Sequence, residues 1–286
     1  MTDDPMKNKW MPMTSVETGE VHDIRSDVHG LTLQIVNVCF VGKPADPKGW
    51  VLVDAGMPKS ADAIKKVAKE RYGKNSRPQA IILTHGHFDH VGAVVQLAEE
   101  WDVSVYAHSS EIPYLTGKKK YPDPDPGVEG GMVAKMSSLF PDEPVDLGPY
   151  IHELPEDGSV PAMTGWKWVH TPGHTEGHIS LFRESDRTLL AGDAFVTVKQ
   201  DELYKVFKQE KEITGPPRYF TPDWQKAKES VKNLAQLNPD AVLTGHGRPM
   251  TGTELKEGLH TLARHFEEIA VPDHGRYVDS KDENRV

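Results

Sequence analysis

The stretch Thr84–Gly92, which reads THGHFDHVG, concentrates metal-binding side chains in one short segment. Three imidazoles and one carboxylate fall within six consecutive residues, at positions His85, His87, Asp89 and His90. Both groups bind borderline-soft divalent metals. The preceding Ala80–Leu83 (AIIL) is typical of a buried strand, and Val91–Glu100 has apolar residues at helical spacing. A loop between a strand end and a helix start is where α/β proteins place ligands. We therefore interpret the stretch as a metal-binding loop of an α/β domain, rather than as a polar surface loop of unusual composition.

Composition narrows the class of protein. The chain has 286 residues, of which 43 are acidic and 33 basic, for a formal charge of −10. Proteins that bind phosphate backbones usually carry a basic face, so we expect no nucleic-acid partner. We find no N-terminal apolar region of signal-peptide length and no run of roughly 20 apolar residues, so we expect no membrane partner and a cytoplasmic location. The single cysteine, Cys39, lies in an apolar run and is predicted to be a buried structural thiol.

Strand and helix patterns alternate along the chain. Apolar runs predict strands at Leu31–Val41 and Trp50–Val53. Helical spacing predicts a helix that Gly73 terminates, an Asp-capped helix over Asp223–Leu237 and a final helix over Thr253–Ala270. Because strand groups and helices recur in two similar halves, we predict a layered sandwich of two sheets with helices outside.

The chain is predicted to consist of one domain with two flanking segments. We assign residues 1–28 to an N-terminal arm and first strand, residues 29–270 to the domain, and residues 271–286 to a frayed C-terminal tail. Within the domain, residues 109–163 lose their periodicity and include the run YPDPDPG, which is typical of an irregular insertion. Such an insertion is either a solvated surface excursion or a lid over the substrate.

Three further residues share the placement of the opening motif, because each follows an apolar, strand-like run. His174 lies in TPGHT, Asp193 follows LLAG, and His246 ends AVLTGH. Adjacent glycines let the backbone turn sharply and approach a bound ion. Each residue alone is typical of a structural turn, but together with the opening motif they predict one metal constellation. Asp54, which ends another strand, is either a turn residue or an acid that orients a metal ligand.

These residues resemble the seven-ligand set of the metallo-β-lactamase superfamily, in the family's order and with similar spacing. The resemblance runs from about Leu31 to Pro249, and the stretches TPGHTEGH and AGDAF are similar to those of bacterial glyoxalase-II-like metallo-hydrolases. It implies a four-layer αβ/βα sandwich of two mixed β-sheets, with helices outside and two metal ions at one edge. The ligands it implies are His85, His87 and His174 for the first metal, and Asp89, His90 and His246 for the second, with Asp193 bridging.

Supporting and substrate-contacting residues follow from the same comparison and from the irregular regions. Asp54 matches the family's early strand-end aspartate, and His178 is interpreted as a residue that supports or packs against the ligands. For substrate contacts we predict Tyr204, Phe207 and Tyr219, which lie in a second irregular region.

The ligand set predicts a binuclear metal-dependent hydrolase. A divalent ion lowers the pKa of bound water from 15.7 to about 7, so a metal-bound hydroxide is available at neutral pH. We expect it to attack an ester-like bond of a small-molecule substrate, namely a thioester, a lactone or a carboxylic ester, with Asp89 orienting the nucleophile. The expected cofactors are two divalent metal ions, with Zn²⁺ favoured and Fe or Mn as alternatives.

Other chemistries use similar ligands. A mononuclear iron dioxygenase of the same superfamily is the redox alternative, and a phosphodiesterase is the hydrolytic one. A non-catalytic module with a structural metal is disfavoured, because structural zinc sites are typically closed four-coordinate cages rich in Cys. The sequence leaves the exact substrate and the oligomeric state open, with a homodimer among the options.

Overall fold

The computed structural model describes residues 15–43, 49–128, 145–198 and 211–278, which form two mixed β-sheets. The first sheet contains seven strands that are neighbours in sequence order: β1 (Val21–Arg25), β2 (Val28–Leu33), β3 (Val36–Gly42), β4 (Trp50–Val53), β5 (Ile81–Ile82), β6 (Val105–Ala107) and β7 (Ile151–Glu153). The second sheet contains five strands: β8 (Trp166–His170), β9 (Ile179–Arg183), β10 (Thr188–Gly192), β11 (Ala241–Thr244) and β12 (Met250–Thr251).

Each sheet combines antiparallel and parallel strand pairs. In the first sheet β1 to β4 pair antiparallel, whereas β4 to β7 pair parallel. The second sheet has the spatial order β12-β11-β10-β9-β8, in which β10 and β11 are parallel and the other pairs are antiparallel. The carboxyl ends of parallel neighbours meet at one edge. The loops after β4 and β5 are therefore adjacent, and so are the loops after β10 and β11.

Helices cover the outer face of each sheet. In the described residues they are α1 (Ala61–Tyr72), α2 (Phe88–Val91), α3 (Val94–Trp101), α4 (Ile112–Leu115), α5 (Trp224–Gln236), α6 (Gly252–Arg264) and α7 (Phe266–Ile269). Ile64 of α1 and Leu97 of α3 share a buried cluster with Leu52 of the first sheet. Val231 of α5 belongs to a second cluster with Leu189 of the second sheet.

A third buried cluster lies between the two sheets. Val53 and Ile82 of the first sheet meet Leu181 and Leu243 of the second sheet there. Cys39 is buried in the same cluster, as predicted, and burial raises the pKa of its thiol. Helix, sheet, sheet and helix thus follow one another, which confirms the predicted four-layer αβ/βα sandwich.

Local signals placed several elements correctly. Helix α1 ends immediately before Gly73, which has a φ of 102° that favours glycine. Helix α5 starts after Asp223, whose side chain accepts a hydrogen bond from the amide of Lys226 at 2.9 Å, as expected of an aspartate cap. Strand β4 has the predicted bounds, Trp50–Val53.

Two predicted elements were wrong in their continuity. Leu31–Val41 is not one strand, because the chain reverses between β2 and β3 at Gln34, which has a φ of 60°. Thr253–Ala270 is not one helix, because His265 separates α6 from α7. Neither break coincides with a glycine or proline, the residues that usually announce a turn in sequence.

The predicted insertion and tail contain ordered contacts. The described part of residues 109–163 includes α4 and also β7, which adds an edge strand to the first sheet. Part of the predicted tail contacts the insertion, since the Tyr277 hydroxyl donates a hydrogen bond to the Asp123 carbonyl at 2.6 Å. Residues 129–144 and 279–286 lie outside the described residues. No helix in the described ranges combines the length and apolarity that crossing a membrane requires.

Candidate metal centre

Both sheets contribute residues to one buried cluster of histidine and aspartate side chains. The segment that follows β5, which includes α2, supplies four of its members, and the loops after β8, β10 and β11 supply one each. The seven residues are His85, His87, Asp89, His90, His174, Asp193 and His246, and all seven are buried. The structure thus brings together every residue that the sequence predicted as a metal ligand.

Three histidines form the first triad, which comprises His85, His87 and His174. Nδ1 of His87 lies 3.1 Å from Nε2 of His85 and 2.9 Å from Nε2 of His174. Burial lowers the pKa of His87 to about 4, and it holds the pKa values of His85 and His174 well below their usual range. The three rings are therefore neutral at pH 7, which is the form in which imidazole binds a metal.

The second triad comprises Asp89, His90 and His246. Nε2 of His246 lies 3.4 Å from a carboxylate oxygen of Asp89. Burial acts to lower the pKa of His246, but the carboxylates of Asp193 and Asp89 outweigh it and raise that pKa to about 10. Two buried carboxylates thus stabilise a positive charge at this position, which a metal cation can supply in place of a proton.

Asp193 lies between the two triads. Its Oδ2 is 3.5 Å from Nε2 of His174 in the first triad and 3.2 Å from Nε2 of His246 in the second. Its Oδ1 lies 3.5 Å from Nε2 of His90, and these two buried atoms have no hydrogen-bond partner among the described residues. Unpaired buried polar atoms are costly, so this donor set fits metal ions that its nitrogens and oxygens would bind.

Two histidines of the second triad donate hydrogen bonds from Nδ1, the ring nitrogen that faces away from the cluster. Nδ1 of His90 donates to Asp54 at 2.8 Å, and the amide and hydroxyl of Thr84 donate to the same carboxylate at 2.8 Å each. Nδ1 of His246 donates to the Ile35 carbonyl at 2.9 Å. Both contacts place the proton on Nδ1 and leave Nε2 free toward the cluster, as in other carboxylate–histidine metal sites.

His178 supports the backbone of Asp193 and is not a member of either triad. Its Nε2 accepts the Asp193 amide proton at 2.9 Å, and its Nδ1 donates to the Thr171 hydroxyl at 2.8 Å. Burial lowers the pKa of His178 to about 3, so it is neutral and can accept this bond. The group that His178 supports is therefore the backbone amide of Asp193.

A cavity of about 500 Å³ opens onto the first triad through His87 and His174. Four aromatic side chains contribute to its walls: Tyr114, Tyr121, Phe220 and Tyr277. The rings of Tyr121 and Phe220 each lie 4.7 Å from the His87 ring, measured between centroids. Lysines and acidic residues form its more exposed parts, among them Lys119, which lies 3.4 Å from Glu176.

The predicted substrate residues occupy different positions. Tyr219 is 5% exposed and belongs to the first-sheet cluster, while its neighbour Phe220 is the one that lines the cavity. Tyr204 and Phe207 lie outside the described residues.

Sequence reasoning missed the contributions of Tyr121, Phe220 and Glu111 around the first triad. Tyr121 lies in the insertion at a position that resembled a turn, and Glu111 is a single acid in HSSEIPY with no metal-ligand spacing. Their role depends on contacts between segments far apart in sequence. Such contacts leave no local pattern to read.

The fold and the centre define the class of protein. A family model for the metallo-β-lactamase superfamily matches residues 31–246, and the chain belongs to that superfamily. The chain is 51% identical over 264 residues to the probable metallo-hydrolase YflN of Bacillus subtilis (strain 168), an alignment that covers 92% of this chain and 100% of that protein. It is thus a metallo-hydrolase of the superfamily.

Two more distant proteins extend the comparison. The hydroxyacylglutathione hydrolase GloC of Haemophilus influenzae is 25% identical over 173 residues, which cover 59% of this chain and 68% of that protein. The crystal structure of TTHA1623 in a di-iron-bound form is 27% identical with a TM-score of 0.51, and the match covers 80% of this chain and 92% of that one. The predicted resemblance to the metallo-β-lactamase superfamily is therefore confirmed, and the proteins that the chain is similar to include the hydroxyacylglutathione hydrolase GloC.

Proposed function

We propose that the protein is a binuclear hydrolase of an ester-like bond in a small molecule, namely a thioester, a lactone or a carboxylic ester. The observation that carries the proposal is the position of Asp193, whose carboxylate faces His174 of the first triad and His90 and His246 of the second. One carboxylate between two sets of ligands is the arrangement expected of a pair of ions that share a bridging ligand.

Each triad has a distinct task in this proposal. The first triad would hold one divalent ion and the second triad the other, with Asp193 as the common ligand. Bound there, the ions would supply a nucleophile at neutral pH and polarise the carbonyl oxygen of the substrate. Asp54, Thr84 and the Ile35 carbonyl keep the ligand nitrogens oriented, so little reorganisation accompanies the reaction.

Asp89 is the proposed catalytic residue among the ligands. One of its oxygens faces His246, and a carboxylate has a second oxygen with which it can accept a hydrogen bond from the attacking nucleophile. That bond would hold the nucleophile in one orientation relative to the substrate carbonyl. Orientation of this kind accounts for a large part of enzymatic rate enhancement.

The size and lining of the cavity support a small-molecule substrate. Its volume of about 500 Å³ is that of a site for a small molecule. Because His87 and His174 form its inner end, the scissile bond would lie beside the first triad, with the remainder of the substrate between Tyr121, Phe220 and Tyr277. Tyr219 would contact the substrate only indirectly, by supporting Phe220, because the two ring centroids lie 4.9 Å apart.

Zinc is the proposed metal, and iron is the alternative that the di-iron form of TTHA1623 supports. Metal analysis of protein purified without supplementation separates the proposals. Two zinc ions per chain support the binuclear hydrolase, and two iron ions with ester hydrolysis support the same reaction with the other metal. One iron per chain with oxygen consumption would instead establish a mononuclear dioxygenase.

A substrate panel tests the reaction class. The purified enzyme is assayed with thioesters, lactones, carboxylic esters, aryl phosphodiesters and a β-lactam, and we expect hydrolysis within the first three groups. His87→Ala and Asp193→Ala should lose metal and activity together. His29→Gln is the matched control, because His29 is also buried but pairs with Asp23 away from the centre. Activity confined to phosphodiesters would replace the proposal by a phosphodiesterase.

A further inference from the structure

Glu111 is a buried carboxylate that neither triad contains. It follows β6, at the end of a short 3-10 turn, Ser109–Glu111, and directly precedes α4. Its exposed fraction is 0%, although a charged side chain is rarely buried without partners. Its burial therefore requires neighbouring groups that compensate for the lost hydration.

Four donors surround the carboxylate, two on each oxygen. Oε1 accepts hydrogen bonds from the Thr175 hydroxyl at 2.8 Å and from the Gly177 amide at 2.9 Å. Oε2 accepts a hydrogen bond from the Gly86 amide at 3.0 Å and another from the Tyr121 hydroxyl. An ionised carboxylate has about four acceptor positions, so this one is fully used.

Three of the four donors belong to the two loops that supply the first triad, and the fourth, Tyr121, comes from the insertion. Gly86 lies between the ligands His85 and His87, and Thr175 directly follows the ligand His174. The first loop comes from the first sheet and the second loop from the second sheet. One oxygen of Glu111 thus holds each loop, and the carboxylate joins the two halves of the first triad.

The loops are shaped to admit this side chain. A Cβ atom at Gly177 would lie 2.8 Å from Cγ of Glu111, a separation that real Cβ atoms do not adopt. At Gly86 a Cβ would collide with the Tyr121 hydroxyl that donates to the same carboxylate. Glycine at both positions therefore permits the approach of Glu111 and Tyr121 to the backbone.

Tyr121 extends the same arrangement to a ligand ring. Its hydroxyl donates to Glu111 and accepts a hydrogen bond from the Gly86 amide at 3.0 Å. Its ring stacks on Tyr114 with centroids 4.0 Å apart and lies 4.7 Å from the His87 ring. A change at Glu111 would consequently reach His87 by two routes, through the Gly86 backbone and through the Tyr121 ring.

We propose that Glu111 is a positioning residue that sets the separation of His85 and His87 from His174, and thereby the affinity of the first triad for its metal. The inference rests on the ligand assignment of the proposed function. It does not depend on which bond the enzyme hydrolyses. Partners of metal ligands typically change metal affinity about 10- to 100-fold when they are removed.

Glu111→Gln is the decisive variant, because it keeps the size of the side chain but has only one acceptor oxygen. It can retain the bonds to one loop, while its amide group faces the donors of the other. We expect the metal bound by the first triad to be held about 10- to 100-fold more weakly, with the affinity of the second triad unchanged. We also expect kcat to fall while KM stays within about twofold, because the cavity walls remain.

The measurement is stepwise titration of the metal-free protein with Zn²⁺ in competition with a chromophoric chelator. Titration with Co²⁺ adds a visible spectrum that reports the geometry of each bound ion. The melting temperature of the metal-free protein is recorded in parallel, because a merely structural role would lower that temperature and leave the metal affinity of the folded protein unchanged.

Asp125→Asn is the matched control. Like Glu111, Asp125 is a buried acidic residue that accepts backbone hydrogen bonds, in its case from Gly127 at 2.9 Å and from Arg276. Both donors lie outside the loops that carry the triads, so this variant should bind both metals with normal affinity. Equal loss of affinity in the two variants would show a general effect of removing a buried charge and would overturn the inference.

The remaining outcomes are also decisive. Normal affinity for both metals in folded Glu111→Gln overturns the inference. If that variant does not fold, Thr175→Val removes a single donor at constant volume, and normal affinity there overturns it as well. A wild-type protein that binds two metals but hydrolyses no ester refutes the proposed substrate class alone, because the affinity change in Glu111→Gln is still measured.

Discussion

Asp54 accepts a hydrogen bond from Nδ1 of His90 at 2.8 Å, and the backbone of Asp54 has a φ of 60°. Left-handed geometry is uncommon outside glycine but is tolerated by aspartate and asparagine. The conformation directs the carboxylate toward His90 and Thr84. Aspartate at this strand end therefore orients a member of the second triad and is more than a turn residue.

Asp54→Asn should weaken metal binding by the second triad about 10- to 100-fold. The amide keeps the backbone conformation but cannot accept all three hydrogen bonds that the carboxylate accepts. Competition titration with a chelator measures the change. Asp102→Asn is the control, because Asp102 also has a positive φ, 50°, but caps α3 on the surface. Unchanged affinity in Asp54→Asn would contradict the assigned role.

Removal of the metal should lower the melting temperature by about 10 °C or more. Without ions, the Asp89 and Asp193 carboxylates retain only protonated histidine, His246 among them, as compensating charge, and the binding free energy of the metals is lost. Ligand present at about 1,000 times its dissociation constant stabilises a protein by about 4 kcal/mol, and 1 kcal/mol corresponds to about 2–4 °C at this size. Calorimetry before and after dialysis against a chelator tests this. Re-addition of Zn²⁺ should restore the transition.

Gly245→Ala should abolish metal binding by the second triad. A Cβ at this position would collide with Oδ1 of Asp193 and lie 2.8 Å from Cε1 of His90. The only relief is movement of these ligands. Gly258→Ala, on helix α6, is the control variant. The Cβ added at Gly258 would meet the flexible side chain of Ile213 and no member of the triads. Two metals per chain by elemental analysis in Gly245→Ala would show that the ligands tolerate the shift.

Tyr277→Ala should raise KM about fivefold and change kcat little. Its ring lines the cavity at a distance from the triads, so it contributes binding energy that is the same in ground and transition states. An aromatic contact is worth about 1 kcal/mol, which corresponds to roughly that factor. Tyr277→Phe retains the ring but loses the hydrogen bond to the Asp123 carbonyl. It therefore separates the effect of the ring as part of the cavity wall from the effect of the hydrogen bond. A fall in kcat at constant KM would be inconsistent with this role.

Tyr72→Phe should increase the free energy of unfolding by about 1 kcal/mol. The Tyr72 hydroxyl is buried without a hydrogen-bond partner among the described residues. The ring stacks on Trp50 with centroids 4.7 Å apart, a contact that phenylalanine keeps. Denaturant unfolding measures the difference, and metal affinity should not change. Destabilisation of similar size would indicate a partner for the hydroxyl.

The centre was predictable wherever its residues were close in sequence or followed a strand. Four of the seven clustered residues lie in one motif, and the other three each follow an apolar run beside a glycine, so the pattern is local. What orients them is not local. The Ile35 carbonyl holds His246 across 211 positions of sequence, and any residue type has a carbonyl. Sequence alone therefore identifies the members of the buried cluster better than the groups that position them.

The same distinction explains the errors in the fold. Helix α1 was predicted because an amphipathic pattern ends at a glycine. The reversal at Gln34 was missed because the run LTLQIVNVCFVG is apolar on both sides and contains no turn residue at that point. Tertiary contacts stabilise that turn, since the Asn37 side chain donates to the carbonyls of Thr244 and Gly247 in the second sheet.

The triads draw their members from both sheets, so neither half of the chain carries a complete candidate centre. His85 and His87 come from the first half and His174 from the second, and His246, after β11, completes the second triad, while Asp193, after β10, lies between the two triads. Metal uptake is therefore a reporter of the docking of the two halves. If the chain were divided between β7 and β8 and the fragments were mixed, tight metal binding would return only as they reassociate. If the metal-free fragments are mixed in the presence of Co²⁺, the growth of its visible spectrum would measure the rate of that assembly.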